Sequence, residues 1–125
     1  MKLLDTWVWI EYFKGSKEGA RVKSIMEKST VYTSAISLAE ISKWVCQNNG
    51  DLDFAVKQIK TNSIIIDLEE IVLLEAGKNY VEVRKIKNAM GLIDIIIYTC
   101  ADIHSLTVVT GDPDFEGLPN VEMIK

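Results

Sequence analysis

One histidine and two cysteines are all that the 125 residues offer a soft or borderline metal. That scarcity excludes the Cys- and His-rich spacings of zinc sites. It also excludes a disulfide scaffold, and a chain of this length buries enough surface to fold without one. Cys46 and Cys100 both lie in apolar helical patterns and read as reduced packing residues, with a disulfide between them left open but unsupported by the pattern. No apolar run approaches the roughly 18 residues of a membrane span. Asp5 and Glu11 interrupt the N-terminal apolar segment, so no signal peptide is expected and the cytoplasm is the default location. Nor is there an excess of positive charge, since 14 Lys and Arg face 18 Asp and Glu for a net charge of −4. That argues against a non-specific nucleic-acid binder, whose affinity comes from Lys and Arg. It does not argue against an enzyme of nucleic acid, because an acidic site filled with a divalent ion presents positive charge to phosphate.

What is present fits a soluble core with a wet surface: 48% of residues are hydrophobic and 26% charged. The length and the absence of repeats or linkers predict a single domain over 1–125. Strand patterns fall at 2–4, 30–33, 63–67, 106–110 and 121–124. Helical patterns fall at 6–13, 17–28, 35–46, 52–60, 68–86 and 92–104. Gly15-Ser16 and Asn48-Asn49-Gly50 break helices, Asp51 and Ser34 are placed to cap them, and Gly111-Asp112-Pro113-Asp114 has turn chemistry. Ile71, Leu74, Val81 and Ile86 carry the apolar pattern of the long helix, and the isoleucines of 64–66 read as a buried strand. Strands alternating with helices predict a three-layer α/β/α domain around a central, mostly parallel sheet.

The most apolar stretch, 91–101, holds one acid, Asp94, with no Lys or Arg between Asn88 and His104 to pair with it. A carboxylate among isoleucines needs a partner: a distant base, backbone N–H groups or a cation. Sites in open parallel sheets form beyond the carboxyl ends of the strands. Asp5 directly follows the first strand, and Asp112 follows the 106–110 strand after one glycine. Glu40 shares its helical stripe with Ile36 and Trp44, which aims it inward, and Asp94 stands in the first turn of its helix. Four acids can therefore meet at one sheet edge, with Asp114 close behind. Converging carboxylates stay ionised together only if cations hold them, and all-oxygen ligands suit Mg²⁺ or Mn²⁺. Such ions polarise phosphoryl oxygens, activate water and stabilise the leaving oxygen in phosphodiester hydrolysis.

Taken singly, each acid has a plainer use. Asp5 fits an N-cap, Asp112 and Asp114 fit a turn, Glu40 fits a solvated helix face, and Asp94 fits the positive end of a helix dipole. The metal reading gains because all four uses would have to hold independently. Lys43 lies one turn from Glu40 and is placed to touch phosphate or to pair with that acid. Arg84, Lys85 and Lys87 form the only basic cluster, suited to guiding RNA, to meeting a partner's carboxylates or simply to solvating a helix end. His104 suits the C-terminal dipole of its helix and is not needed for metal-assisted hydrolysis. Trp7, Trp9, Tyr12 and Phe13 read as core or dimer contacts.

Leu3-Leu4-Asp5-Thr6, Ala39-Glu40-Ile41, the 92–101 stretch and Val109-Thr110-Gly111-Asp112-Pro113-Asp114-Phe115 together resemble the blocks of PIN-domain ribonucleases, in order and at the right spacing. The likeness extends over the whole chain and is greatest to VapC-type toxins of toxin–antitoxin modules. The resemblance implies a metal-dependent endoribonuclease that uses Mg²⁺ or Mn²⁺, is inhibited by a cognate antitoxin and forms a homodimer. It assigns Asp5, Glu40, Asp94 and Asp112 to the acidic quartet, Asp114 to an additional acid, and Thr6 and Thr110 to supporting hydroxyls. A neutral-to-alkaline pH optimum is expected. Trp7 departs from the pattern, since the family often has Asn or Ser at that place. Two rivals remain: a phosphoacceptor receiver domain, with a similar size and an acidic Mg²⁺ pocket, and an inactive PIN-like binding module. The receiver lacks a use for acids on helices, such as Glu40 and Asp94.

Overall fold

The computed structural model describes residues 1–124. Five parallel strands form the middle layer: β1 (Lys2–Leu4), β2 (Val31–Ser34), β3 (Ile64–Ile66), β4 (Thr107–Thr110) and β5 (Val121–Met123), in the spatial order β3-β2-β1-β4-β5. The helices are α1 (Thr6–Lys14), α2 (Lys17–Lys28), α3 (Ala35–Gln47), α4 (Leu52–Asn62), α5 (Glu70–Val83) and α6 (Leu92–Ile103).

Successive side chains of a strand point to opposite faces. Leu3 and Val108 therefore bury against α5 and α6, with Val72, Ala76, Ile95, Ile97 and Cys100. Leu4 and Val109 bury on the other face, with Val8 and Trp9 of α1, Val22 of α2, Ile41 and Val45 of α3, and Ala55 and Ile59 of α4. The three-layer α/β/α architecture follows from that alternation. The two middle strands, β1 and β4, pair in register Leu3 to Val108 and Leu4 to Val109. The chain leaves β1 toward β2 on one side, while β4 lies on the other. A crevice at such a reversal of strand order is where ligands of open α/β sheets bind.

Several local expectations change. β3 is the sheet edge, and Ile64 is 52% exposed, because strand order leaves it one neighbour. α5 ends at Val83 and turns its Val72–Ala76 stripe to the core, so Ile71, Leu74 and Val81 face solvent and Ile86 lies beyond the helix. Asn49, not Gly50, takes the left-handed conformation after α3. The 111–114 turn tightens into a 3-10 turn at Pro113–Phe115. Cys46 is exposed and Cys100 buried, and both are free. Among the described residues, no helix is long and apolar enough to cross a membrane.

Candidate metal centre

Asp5 directly follows β1 and stands at the N-cap of α1, yet its side chain makes no capping bond. Its backbone N–H extends the β1–β4 ladder to Val109 O at 3.1 Å. Its carboxylate is only 3% exposed and accepts a 2.8 Å hydrogen bond from Thr110 Oγ1. The same Thr110 oxygen accepts from the Asp112 backbone N–H at 3.0 Å. One hydroxyl at the end of β4 thus joins the acid of β1 to the first acid of the turn. Asp112 Oδ1 in turn accepts from the Asp114 N–H at 2.9 Å, which holds the 3-10 turn closed. Thr6, the first residue of α1, donates through Oγ1 to Glu40 Oε1 at 2.6 Å. Both supporting threonines are buried.

Asp94 is the third residue of α6 and reaches back toward the Gly91 N–H, a long contact of 3.4 Å. It is half-buried: Ile95, Ile96 and Ile97 after it go into the core, while the first turn of the helix opens at the sheet edge. The sequence pattern overstated its burial because Leu92 and Ile93 before it are exposed, and only the isoleucines after it go into the core. Asp94, Asp112 and Asp114 each bring one oxygen to a cluster in which all three lie within 4.8 Å of one another. Asp5 and Glu40 stand outside that tightest set but act on it electrostatically. Burial, then the charges of Asp94 and Glu40, raise the Asp5 carboxyl to about 7 against the pull of the Thr110 hydroxyl. Burial, then Asp112, Glu40 and Asp114, raise Asp94 to about 6, with the Gly91 amide opposing.

Of the cationic side chains named from sequence, Arg84, Lys85, Lys87 and His104 are engaged with other groups. Arg84 donates to Tyr80 Oη at 2.9 Å and to Met90 O at 3.0 Å, and lies 5.1 Å from the centre of the Tyr80 ring. Lys85 pairs with Glu82, and Lys87 donates to Glu116 O. His104 pairs with Glu69, the residue before α5, rather than serving the dipole alone. Lys43 is exposed, and Glu40 takes its hydrogen bond from Thr6 instead. Sequence reasoning missed Arg84 as a brace on the 84–91 segment leading into Asp94. Its only signal was a basic residue one turn after Tyr80.

Two carboxyls raised first by burial and then by neighbouring acids, beside a cluster of oxygen donors, fit a hard divalent cation such as Mg²⁺ or Mn²⁺.

The PIN domain family model matches residues 2–120. No curated protein matches the chain. Three solved structures resemble it over nearly their whole length. The FitAcB structure from Neisseria gonorrhoeae is 27% identical, with a TM-score of 0.68 and coverage of 100% of this chain and 97% of that one. A toxin–antitoxin complex from Klebsiella pneumoniae contains a chain 23% identical, with a TM-score of 0.75 and coverage of 100% and 98%. The sarcin–ricin loop cleaving VapC toxin of Mycobacterium tuberculosis is 17% identical, with a TM-score of 0.81 and coverage of 100% of both chains.

Proposed function

The chain belongs to the PIN domain family, and from that premise we propose that it is a divalent-metal-dependent endoribonuclease and the toxin of a toxin–antitoxin pair. The observation that carries the reading is the cluster of Asp94, Asp112 and Asp114 oxygens at the end of β4, with Asp5 and Glu40 at its border. The receiver reading is set aside by the family match, and it leaves Glu40 and Asp94 without work.

Asp94, Asp112 and Asp114 would hold Mg²⁺ or Mn²⁺, with Asp5 completing the site from the end of β1. The ion supplies a Lewis acid for the scissile phosphate and lowers the pKa of a water. Thr110 fixes Asp5 and the turn acids in one frame, so that the acids need little rearrangement on binding. Glu40, held by Thr6, is placed to orient the attacking water and accept its proton. The single histidine pairs with Glu69 and is given no part in the reaction.

A cognate antitoxin is the proposed partner, in keeping with the toxin–antitoxin complex that this chain resembles in fold. A homodimer is proposed through α5, whose Ile71, Leu74 and Val81 form an exposed apolar stripe. Leu74→Glu should convert a dimer to a monomer in sedimentation equilibrium; an unchanged mass sinks that interface.

The central test is purified protein with total RNA and Mn²⁺. Cleavage should appear, should stop with excess chelator and should be absent from Asp94→Asn. Calorimetry on metal-free protein should show Mn²⁺ binding that Asp94→Asn abolishes. Full activity in chelator refutes the mechanism.

A further inference from the structure

Trp7 stands two residues after Asp5 and directly after Thr6, the residue that holds Glu40. Its ring reaches across to the other strand. A Cβ built on Gly111 would lie 2.3 Å from Trp7 Cη2, 2.4 Å from Cζ3 and 2.6 Å from Cζ2. Carbon atoms at rest sit about 3.5–4.0 Å apart, so the indole already fills the space of any side chain at that position. Backbone conformation is not what calls for glycine here. The glycines with positive φ are Gly15 and Gly117. Gly111 is buried and is flanked by Thr110, which grips Asp5, and by Asp112. Trp7 is half-buried and packs against the core cluster that holds Leu4, Val8 and Ile41.

The six-membered ring therefore abuts the backbone at Gly111, where the turn that bears Asp112 and Asp114 begins. We propose that Trp7 is the positioning residue of this acidic turn, setting through Gly111 the distance at which Asp112 and Asp114 face Asp94. The role rests on the divalent-ion site proposed above and is distinct from it: Trp7 touches the glycine, and the acids do the binding. A smaller residue at 7 lets the turn settle inward. A larger one at 111 pushes the turn away. The two positions must then be coupled, because the steric conflict exists only when both side chains are present.

The test is a double-mutant cycle on the full chain with Gly111→Ala, Trp7→Ala and both together, plus Trp7→Phe. Two quantities are read: Mn²⁺ affinity by calorimetry and the melting temperature of metal-free protein. Gly111→Ala and Trp7→Ala should each lower Mn²⁺ affinity about tenfold, the scale of residues that orient ligands without binding the ion. Gly111→Ala should cost nothing further once Trp7 is Ala, in affinity or in melting temperature. Trp7→Phe should recover most of the affinity. If Gly111→Ala alone fails to fold, the double variant should fold. Equal cost of Gly111→Ala in both backgrounds, or Mn²⁺ affinity unmoved by either single change, overturns the proposal. A double variant that fails to fold alongside Gly111→Ala overturns it as well. Wild-type protein that binds no Mn²⁺ sinks the metal site and the positioning role together. Wild-type protein that binds Mn²⁺ but cleaves no RNA sinks the reaction alone, and the cycle still decides the role of Trp7.

Discussion

Metal-free protein carrying Asp5→Asn should melt higher than the wild type at pH 8, while RNA cleavage with Mn²⁺ falls on the order of 10³-fold. Burial, reinforced by the charges of Asp94 and Glu40, lifts the Asp5 carboxyl to about 7 in the fold. In the unfolded chain such a group titrates near 4. Between those values the folded state keeps a proton that the unfolded state has lost. Stability from this group is therefore fully present below about pH 4, declines as pH rises, and is gone above about pH 7. At about 1.4 kcal/mol per pH unit, the burden on the metal-free fold at pH 8 is on the order of 4 kcal/mol. Asparagine carries no charge, and its oxygen still accepts from Thr110. Relief of even half that burden raises the melting temperature by roughly 5–10 °C for a chain of this size. At pH 4, where Asp5 is protonated, the two proteins should melt together. The catalytic loss has the opposite sign because a neutral amide holds a divalent ion poorly. Losing several kcal/mol of Lewis-acid stabilisation costs about tenfold for each 1.36 kcal/mol. Thermal melts at the two pH values and a cleavage assay check both halves. A variant less stable than wild type at pH 8 would falsify the view that Asp5 strains the empty site.

The alternation of strands and helices was legible because it is local. β1 and β4 are short runs each followed within two residues by an acid, and a parallel sheet brings those ends to one edge. Asp51 was legible as a cap for the same reason, and it accepts from the Phe54 N–H. The face of α5 was not legible. Ile71, Leu74 and Val81 make one apolar stripe, while Val72, Ala76, Tyr80 and Val83 make another, and both suit a helical period. The sheet selects the second. Three isoleucines likewise say nothing about whether β3 is central or at the edge, since that depends on strand order. At the site, a sheet-edge argument was enough to nominate the acids. It gave neither the shared Thr110 hydroxyl nor the contact between Trp7 and Gly111, which joins residues over a hundred positions apart. Such contacts depend on packed surfaces, and no period or turn signal marks them.

Acid should act on the site mainly through its affinity for metal. Asp94 and Asp5 titrate near 6 and 7 in the metal-free fold, raised first by burial and then by neighbouring acids. They interact, so they release their protons as a pair. In the proposed site a divalent ion needs both carboxylates ionised, so protons would compete with it. At pH 7.5 most molecules already have both groups ionised. At pH 5.5 both are largely protonated, so apparent Mn²⁺ affinity should fall on the order of 10²-fold between the two. The lost affinity must reappear as protons released on binding: well under one near pH 7.5 and approaching two near pH 5.5. Calorimetry in buffers of different ionisation enthalpy counts them. The same linkage makes Mn²⁺ raise the melting temperature more at pH 7.5 than at pH 5.5, since stabilisation by a ligand grows with its affinity for the folded state. An affinity flat across this range would mean that the two raised carboxyls lie outside the ion's coordination. Asp112 and Asp114 would then have to hold it without Asp5 and Asp94. Cleavage measured at saturating Mn²⁺ separates the two cases further, because a defect in affinity alone disappears there.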